Sequence, residues 1–173
     1  RINKPERLLV TTVFSEKEAR IFYNVLTLIG LLAALASSIM IAKTKFFTLF
    51  AILLLLVGVL YSYSSTYKKK LVVGNLIVSL SVAFSVFLPW LFEMIYLSNN
   101  VLVLSLSKNI MMEILPYVMI YTVFAFLMNF IREILKDAED LKGDSVTHCR
   151  TIPIVYGTKK MNMILLVLAI LVY

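Results

Sequence analysis

ILPYVMIYTVFAFLMNFIREILKDAEDLKGD, residues 114–144, joins two kinds of sequence in one continuous run. Ile114 to Ile131 carries no charge. It is about as long as a bilayer crossing, which takes roughly 20 apolar residues. From Arg132 the composition turns polar, and no glycine or proline intervenes before Gly143. One helix can therefore cross the membrane and continue beyond it. On that extension Asp137, Asp140 and Asp144 are spaced three and four apart and share a helical face with Glu133. Arg132 and Lys136 lie one residue from that row. Hard cations take carboxylate oxygens, and Mg²⁺ is usually held by one or two carboxylates together with substrate phosphates. The same pattern also suits a solvated helix end, with Arg132 and Lys136 neutralising Glu139 and Asp140. Spacing alone leaves both readings open.

The rest of the chain repeats the apolar half of this pattern. Of 173 residues, 61% are hydrophobic, and the mean hydropathy is +0.92. A soluble domain is nearer 45–50% apolar, roughly. Ile21 to Ala42, Phe46 to Tyr67 and Leu71 to Phe92 are uncharged. The expected fold is an all-α polytopic transmembrane helix bundle, with helices over about 15–42, 45–67, 73–97, 110–142 and 159–173. Ser15-Glu16-Lys17-Glu18 reads as a capping box at the first helix start. Pro89 is placed to kink the third helix. Met161 to Tyr173 makes only about 20 Å of helix, so four full helices and one partial one are expected. The opening RINKPERLLV is a polar loop without a signal-peptide pattern. The expectation is one domain over 1–173, truncated at both ends. Short loops make successive helices antiparallel neighbours.

The net charge of +7 could suggest nucleic acid, but its distribution argues against it. Alternating the loops across a membrane puts Arg1, Lys4, Arg7, Lys17, Arg20, Lys68, Lys69, Lys70, Arg132, Lys136, Lys142, Arg150, Lys159 and Lys160 on one side. Only Lys43, Lys45 and Lys108 fall on the other. The cation-rich side is expected to be cytoplasmic, and it holds every Asp. The excess is topological, with a remainder for anionic substrates or lipid headgroups.

Other segments carry weaker signals. Tyr67-Lys68-Lys69-Lys70 reads either as topology-setting cations or as phosphate contacts facing the carboxylates. Asn3-Lys4-Pro5-Glu6-Arg7 is an extended or turn segment. Asn75, Asn129, Tyr61, Tyr63 and Tyr67 lie toward the cation-rich ends of their helices, where tyrosines usually form an aromatic belt. Cys149, the one cysteine, cannot make an internal disulfide, and with His148 it reads as an ordinary loop pair.

Taken together these segments resemble one family. REILKDAEDLKGD, followed by Thr151-Ile152-Pro153 and Tyr156-Gly157, looks like the second aspartate-rich region of the UbiA-type membrane prenyltransferases. Tyr67-Lys68-Lys69 with Gly74-Asn75 resembles the family's segment after a preceding transmembrane helix. Arg1-Ile2-Asn3-Lys4-Pro5-Glu6-Arg7 resembles the stretch that follows its first aspartate motif, NDxxDxxxD, which would lie upstream of residue 1. The REIxKDxEDxxGD version looks closest to the geranylgeranylglyceryl phosphate geranylgeranyltransferases of ether-lipid synthesis. At His148 the family often has glycine instead.

The resemblance implies a cytoplasmic-facing site. Asp137, Asp140 and Asp144 would hold Mg²⁺, with Asp137, Asp140, Lys68 and Lys69 in catalytic roles. Arg132, Lys136, Tyr67, Asn75, Arg7 and Lys4 would contact substrates: a prenyl diphosphate and a lipid-like or aromatic acceptor. The implied reaction is transfer of a geranylgeranyl group to geranylgeranylglyceryl phosphate; prenylation of an aromatic quinone precursor is the alternative. A transporter is disfavoured because the carboxylates gather at a helix end rather than at mid-membrane. A lipid-binding scaffold is the remaining class. A CDP-alcohol phosphotransferase lacks its DGxxAR-type lead-in here.

Overall fold

The computed structural model describes residues 10, 13–65, 67 and 70–172. Helix α1, Glu16–Ala42, starts at a complete capping box. The Glu18 N–H donates to Ser15 Oγ at 3.2 Å, and the Ser15 N–H donates to Glu18 Oε2 at 2.8 Å. A single 3₁₀ turn, Lys43–Lys45, leads into α2, Phe46–Ser65. The two helices pack on each other as a hairpin. Helix α3, Val73–Leu97, follows a tight turn at Val72, where φ is 61° and the Val73 N–H donates to the Leu71 carbonyl at 2.6 Å. Pro89 sits inside α3 without ending it.

Helix α4 runs over Val101–Glu139. It starts well before the expected position near 110, because Asn100 caps it: its side-chain oxygen accepts the Leu102 and Val103 N–H groups at 3.0 and 3.4 Å. Asn and Asp favour this role because their short side chains meet backbone donors that the first turn leaves unpaired. At 39 residues the helix is about 58 Å long, against a hydrocarbon core of about 30 Å. It carries its polar C-terminal turns clear of the apolar layer. It ends at Glu139 rather than near 142, since Asp140 adopts φ −88°, ψ 5° and a short helix α5, Leu141–Val146, begins.

Helix α6, Ile152–Val172, begins earlier than the expected 159 but is interrupted at Gly157, with φ 76° and ψ 164°. The part beyond Gly157 matches the helix expected from the sequence. The part before it is one extra turn, closed by the Val155 N–H on the Thr151 carbonyl.

Side-chain contacts fix the topology. Lys45 Nζ donates to Ser98 Oγ at 2.9 Å, and Asn99 Nδ2 donates to the Ile41 carbonyl at 2.8 Å. The α1–α2 and α3–α4 connections therefore meet at one end of the bundle. The α2–α3 connection and the segment from Asp140 to Arg150 lie at the other. Helix α3 packs most extensively on α4, with Gly74, Ser79 and Ala83 buried on its surface; small residues let helix backbones approach closely. Helix α4 also packs on α6 around Ile134, Ile152 and Met161, and Leu71 and Val72 rest on that cluster.

The chain is a multi-pass membrane protein. Helices α1, α2, α3 and α4, of 27, 20, 25 and 39 residues, are each long and apolar enough to cross a bilayer, and α6 is apolar on both sides of its break at Gly157. Their outer faces expose large apolar side chains such as Leu106, Tyr117 and Leu166, and all-helical structure keeps backbone polar groups paired in lipid.

Two backbone positions are testable. A Cβ at Gly157 would meet no atom within 4 Å, so Gly157→Ala should cost only backbone strain, about 1–3 kcal/mol, read as a lower midpoint in detergent-solubilised thermal unfolding. His148 has φ 55°, a left-handed conformation that costs L-residues about 1–2 kcal/mol. His148→Gly is expected to raise the same midpoint.

Candidate active site

Polar residues from α3 and α4 converge at the end of the bundle opposite the Lys45–Ser98 contact. On α4, Asn129, Glu133 and Asp137 recur every four residues and so stack along one face. On α3, Asn75 and Ser79 have the same spacing. The α3–α4 packing brings the two rows together. Asn75 Nδ2 donates to Asp137 Oδ2 at 2.8 Å. Deeper in the bundle, one turn along α3 and two along α4, Asn129 Nδ2 donates to Ser79 Oγ at 3.3 Å, and the Ser79 hydroxyl donates to the Asn75 carbonyl at 2.6 Å.

Glu133 is the centre of charge. It is only 4% exposed, yet each carboxylate oxygen meets a cation. Arg132 Nη1 lies 3.2 Å from Oε1, and Lys136 Nζ lies 3.4 Å from Oε2. Arg132 Nη1 also donates to Asn129 Oδ1 at 3.4 Å. A buried carboxylate left unpaired would be costly; the two cations offset part of that penalty. Asp137 is half-buried and lies within electrostatic reach of Asp144, Glu133 and Lys136. Tyr63, on α2, is within reach of Lys136, Glu133 and Asp137.

The structure thus joins Asp137, Lys136, Arg132 and Asn75 in one network. Asp144 stands near Asp137 on α5, its N–H bonded to the Asp140 carbonyl at 3.0 Å. The turn at Asp140 bends the row that a straight helix to 142 would have kept on one face. Among the described residues no group of three or more Asp, Glu, His or Cys side chains is gathered closely enough to hold a metal. The donor set still suits a hard cation that takes one or two protein carboxylates and fills its remaining positions with water and phosphate. Tyr67 is engaged by Lys70, whose Nζ sits 4.7 Å from its ring centroid. Lys4, Arg7, Lys68 and Lys69 lie outside the described residues. Leu71 and Val72 pack against the cluster that contains Ile134, three residues from Asp137.

Several participants carry little signal in the sequence alone. In the sequence Glu133 is only one member of the acidic row, Asn129 and Tyr63 are interfacial polar residues, and Ser79 has no distinguishing pattern. The four-residue recurrence of Asn129, Glu133 and Asp137, continuing upward into the apolar run, was the available signal. Below the network, α2 and α3 form an apolar groove of about 440 Å³ lined by Ile52, Leu56, Val59, Ile77, Leu80 and Phe84. Val59 is one turn from Tyr63, so the groove leads away from the polar end.

The UbiA prenyltransferase family matches the chain over residues 1–173. A digeranylgeranylglyceryl phosphate synthase of Methanococcus maripaludis is 32% identical over 173 residues, covering 99% of this chain and 52% of the relative. One from Korarchaeum cryptofilum is 31% identical over 169 residues, covering 98% and 51%. One from Methanosphaera stadtmanae reaches 52% identity over 48 residues, covering 28% and 18%. The chain spans about half the length of the curated relatives it matches over most of its own. No solved structure matches it significantly.

A double-mutant cycle tests the α3–α4 junction. Asn75→Ala and Asp137→Ala should show a coupling of about 1–3 kcal/mol, measured as unfolding free energies in mild detergent; additive effects would mean that the 2.8 Å contact contributes nothing.

Proposed function

The chain belongs to the UbiA prenyltransferase family, and from that premise we propose that it forms the diphosphate-handling part of a Mg²⁺-dependent enzyme that transfers a geranylgeranyl group to geranylgeranylglyceryl phosphate. The observation that carries this reading is the pairing of Asp137 with Asn75 beside Arg132 and Lys136. It sets a carboxylate fit for a divalent cation next to cations fit for phosphate oxygens. Family members generally use a divalent metal, and the relatives above are named for the product of this reaction.

In this reading Asp137, with Asp144 and Asp140 nearby, would hold Mg²⁺, the remaining positions going to water and phosphate oxygens. When bound, the metal offsets the charge that develops on a departing diphosphate. Asn75 orients the Asp137 carboxylate. Arg132 and Lys136 bind phosphate oxygens of the donor or of the acceptor, and Lys68 and Lys69 add charge from the neighbouring loop. Loss of diphosphate leaves an allylic, cation-like carbon. The acceptor hydroxyl attacks it, an ether bond forms, and the hydroxyl proton is released. The apolar groove between α2 and α3 shelters isoprenoid carbon and keeps water from the reacting centre. The positive-inside rule places the polar end on the cytoplasmic side.

Asp137→Asn in the complete protein should lower Mg²⁺-dependent transfer from geranylgeranyl diphosphate by about a hundredfold or more, assayed by product formation with geranylgeranylglyceryl phosphate. The unfolding midpoint should stay near the wild-type value. Full activity in both Asp137→Asn and Asp140→Asn would sink the site assignment.

A further inference from the structure

We propose that Glu133 is a positioning residue that assembles Arg132 and Lys136 into a single receptor for a diphosphate or phosphate group; the proposal rests on the functional reading above. Three observations lead there. First, the burial is lopsided. The Glu133 side chain is 6% exposed, whereas those of Arg132 and Lys136 are 70% and 49% exposed. An ordinary surface ion pair leaves both partners in water and contributes little. Here the anion is sunk into the bundle while both cations keep much of their side chains exposed.

Second, the geometry is not that of a casual helix pair. Adjacent residues on a helix do not face each other, yet the Arg132 guanidinium turns back to reach Glu133 Oε1 at 3.2 Å and Asn129 Oδ1 at 3.4 Å. Asn129 is itself 8% exposed and is tied to Ser79 on α3. Glu133 takes one cation on each oxygen, so both are aimed from a single buried anchor.

Third, the charge and donor count leave capacity for a ligand. A guanidinium carries five N–H donors and an ammonium three, of which the bonds to Glu133 and Asn129 use a part. The two cations share Glu133 as their ion-pair partner; Asp137, bonded to the Asn75 amide, is also within electrostatic reach of Lys136. Planar, bidentate donors on Arg and a compact charge on Lys are the complement of phosphate oxygens. Preorganising them reduces the side-chain ordering that phosphate binding would otherwise have to impose.

The test uses inorganic pyrophosphate as the probe, titrated into the full-length protein with Mg²⁺ present and with Mg²⁺ chelated. Steady-state kinetics with geranylgeranyl diphosphate run in parallel. Glu133→Gln should weaken pyrophosphate binding about tenfold and raise KM for the prenyl diphosphate by a similar factor, with kcat falling less than KM rises. Glu133→Asp keeps a carboxylate and should recover part of the loss. Unchanged affinity in Glu133→Gln, or no recovery in Glu133→Asp, overturns the proposal. Should Glu133→Gln not fold, Arg132→Gln, Lys136→Met and their double variant decide it. One receptor predicts that the double variant loses less than the two single losses combined, and simple additivity overturns it. Pyrophosphate binding that depends on Glu133 in a protein without prenyl transfer would sink the functional reading and leave the receptor standing. Prenyl transfer with Glu133-independent pyrophosphate affinity would do the reverse.

Discussion

A carboxylate inside an apolar helix bundle has to find positive charge and hydrogen bonds, and the polar end of this structure is organised around Glu133 doing so. Removing an ion from water costs several kcal/mol even after relaxation. Arg132 and Lys136 offset part of that cost, and Asn129 secures Arg132 from one turn below. Because Asn129 is bonded to Ser79 on the neighbouring helix, the same network locks α3 to α4. Asn75 and Asp137 close it at the surface. Between membrane helices the hydrophobic effect gives little drive, and packing with interhelical hydrogen bonds takes over. The groups that hold the two helices in register are thus the groups that shape the site.

The length of α4 makes this possible. Its apolar middle crosses the bilayer, and its last turns emerge with Glu133, Lys136 and Asp137 still on a rigid rod. A site on a helix is held more firmly than one on a loop, because its backbone is already fixed by the repeating hydrogen bonds of the helix interior. The turn at Asp140 and the short α5 then fold Asp144 back toward Asp137. At the opposite end the Lys45–Ser98 and Asn99–Ile41 contacts clip two hairpins together, so the helix register set at one end is transmitted to the other.

Much of this architecture was legible beforehand. The uncharged runs located α1, α2, α3 and the crossing part of α4, since a membrane admits only helices whose length matches its thickness. The capping box at Ser15 was readable because both of its members are local. Other features were not. The start of α4 at Val101 depended on Asn100 acting as a cap, and nothing in the polar stretch around it marked that residue as the boundary. The extra turn before Gly157 was hidden because a glycine at φ 76° interrupts the helix without ending it. The acidic row was read as straight, and Asp140 bends it.

Composition and period determined that this chain crosses a membrane several times, that its cations gather on one side, and that carboxylates and cations share the exposed end of one helix. These are properties of single helices, and a 3.6-residue repeat records them directly. Only the tertiary structure decided that Asn75 meets Asp137, that Ser79 meets Asn129, and that Glu133 rather than an aspartate is the buried anchor. Those are pairings between helices and choices of depth. They depend on which face of α3 packs on which face of α4, and the buried small residues Gly74, Ser79 and Ala83 leave room for close packing, which no repeat within one helix encodes.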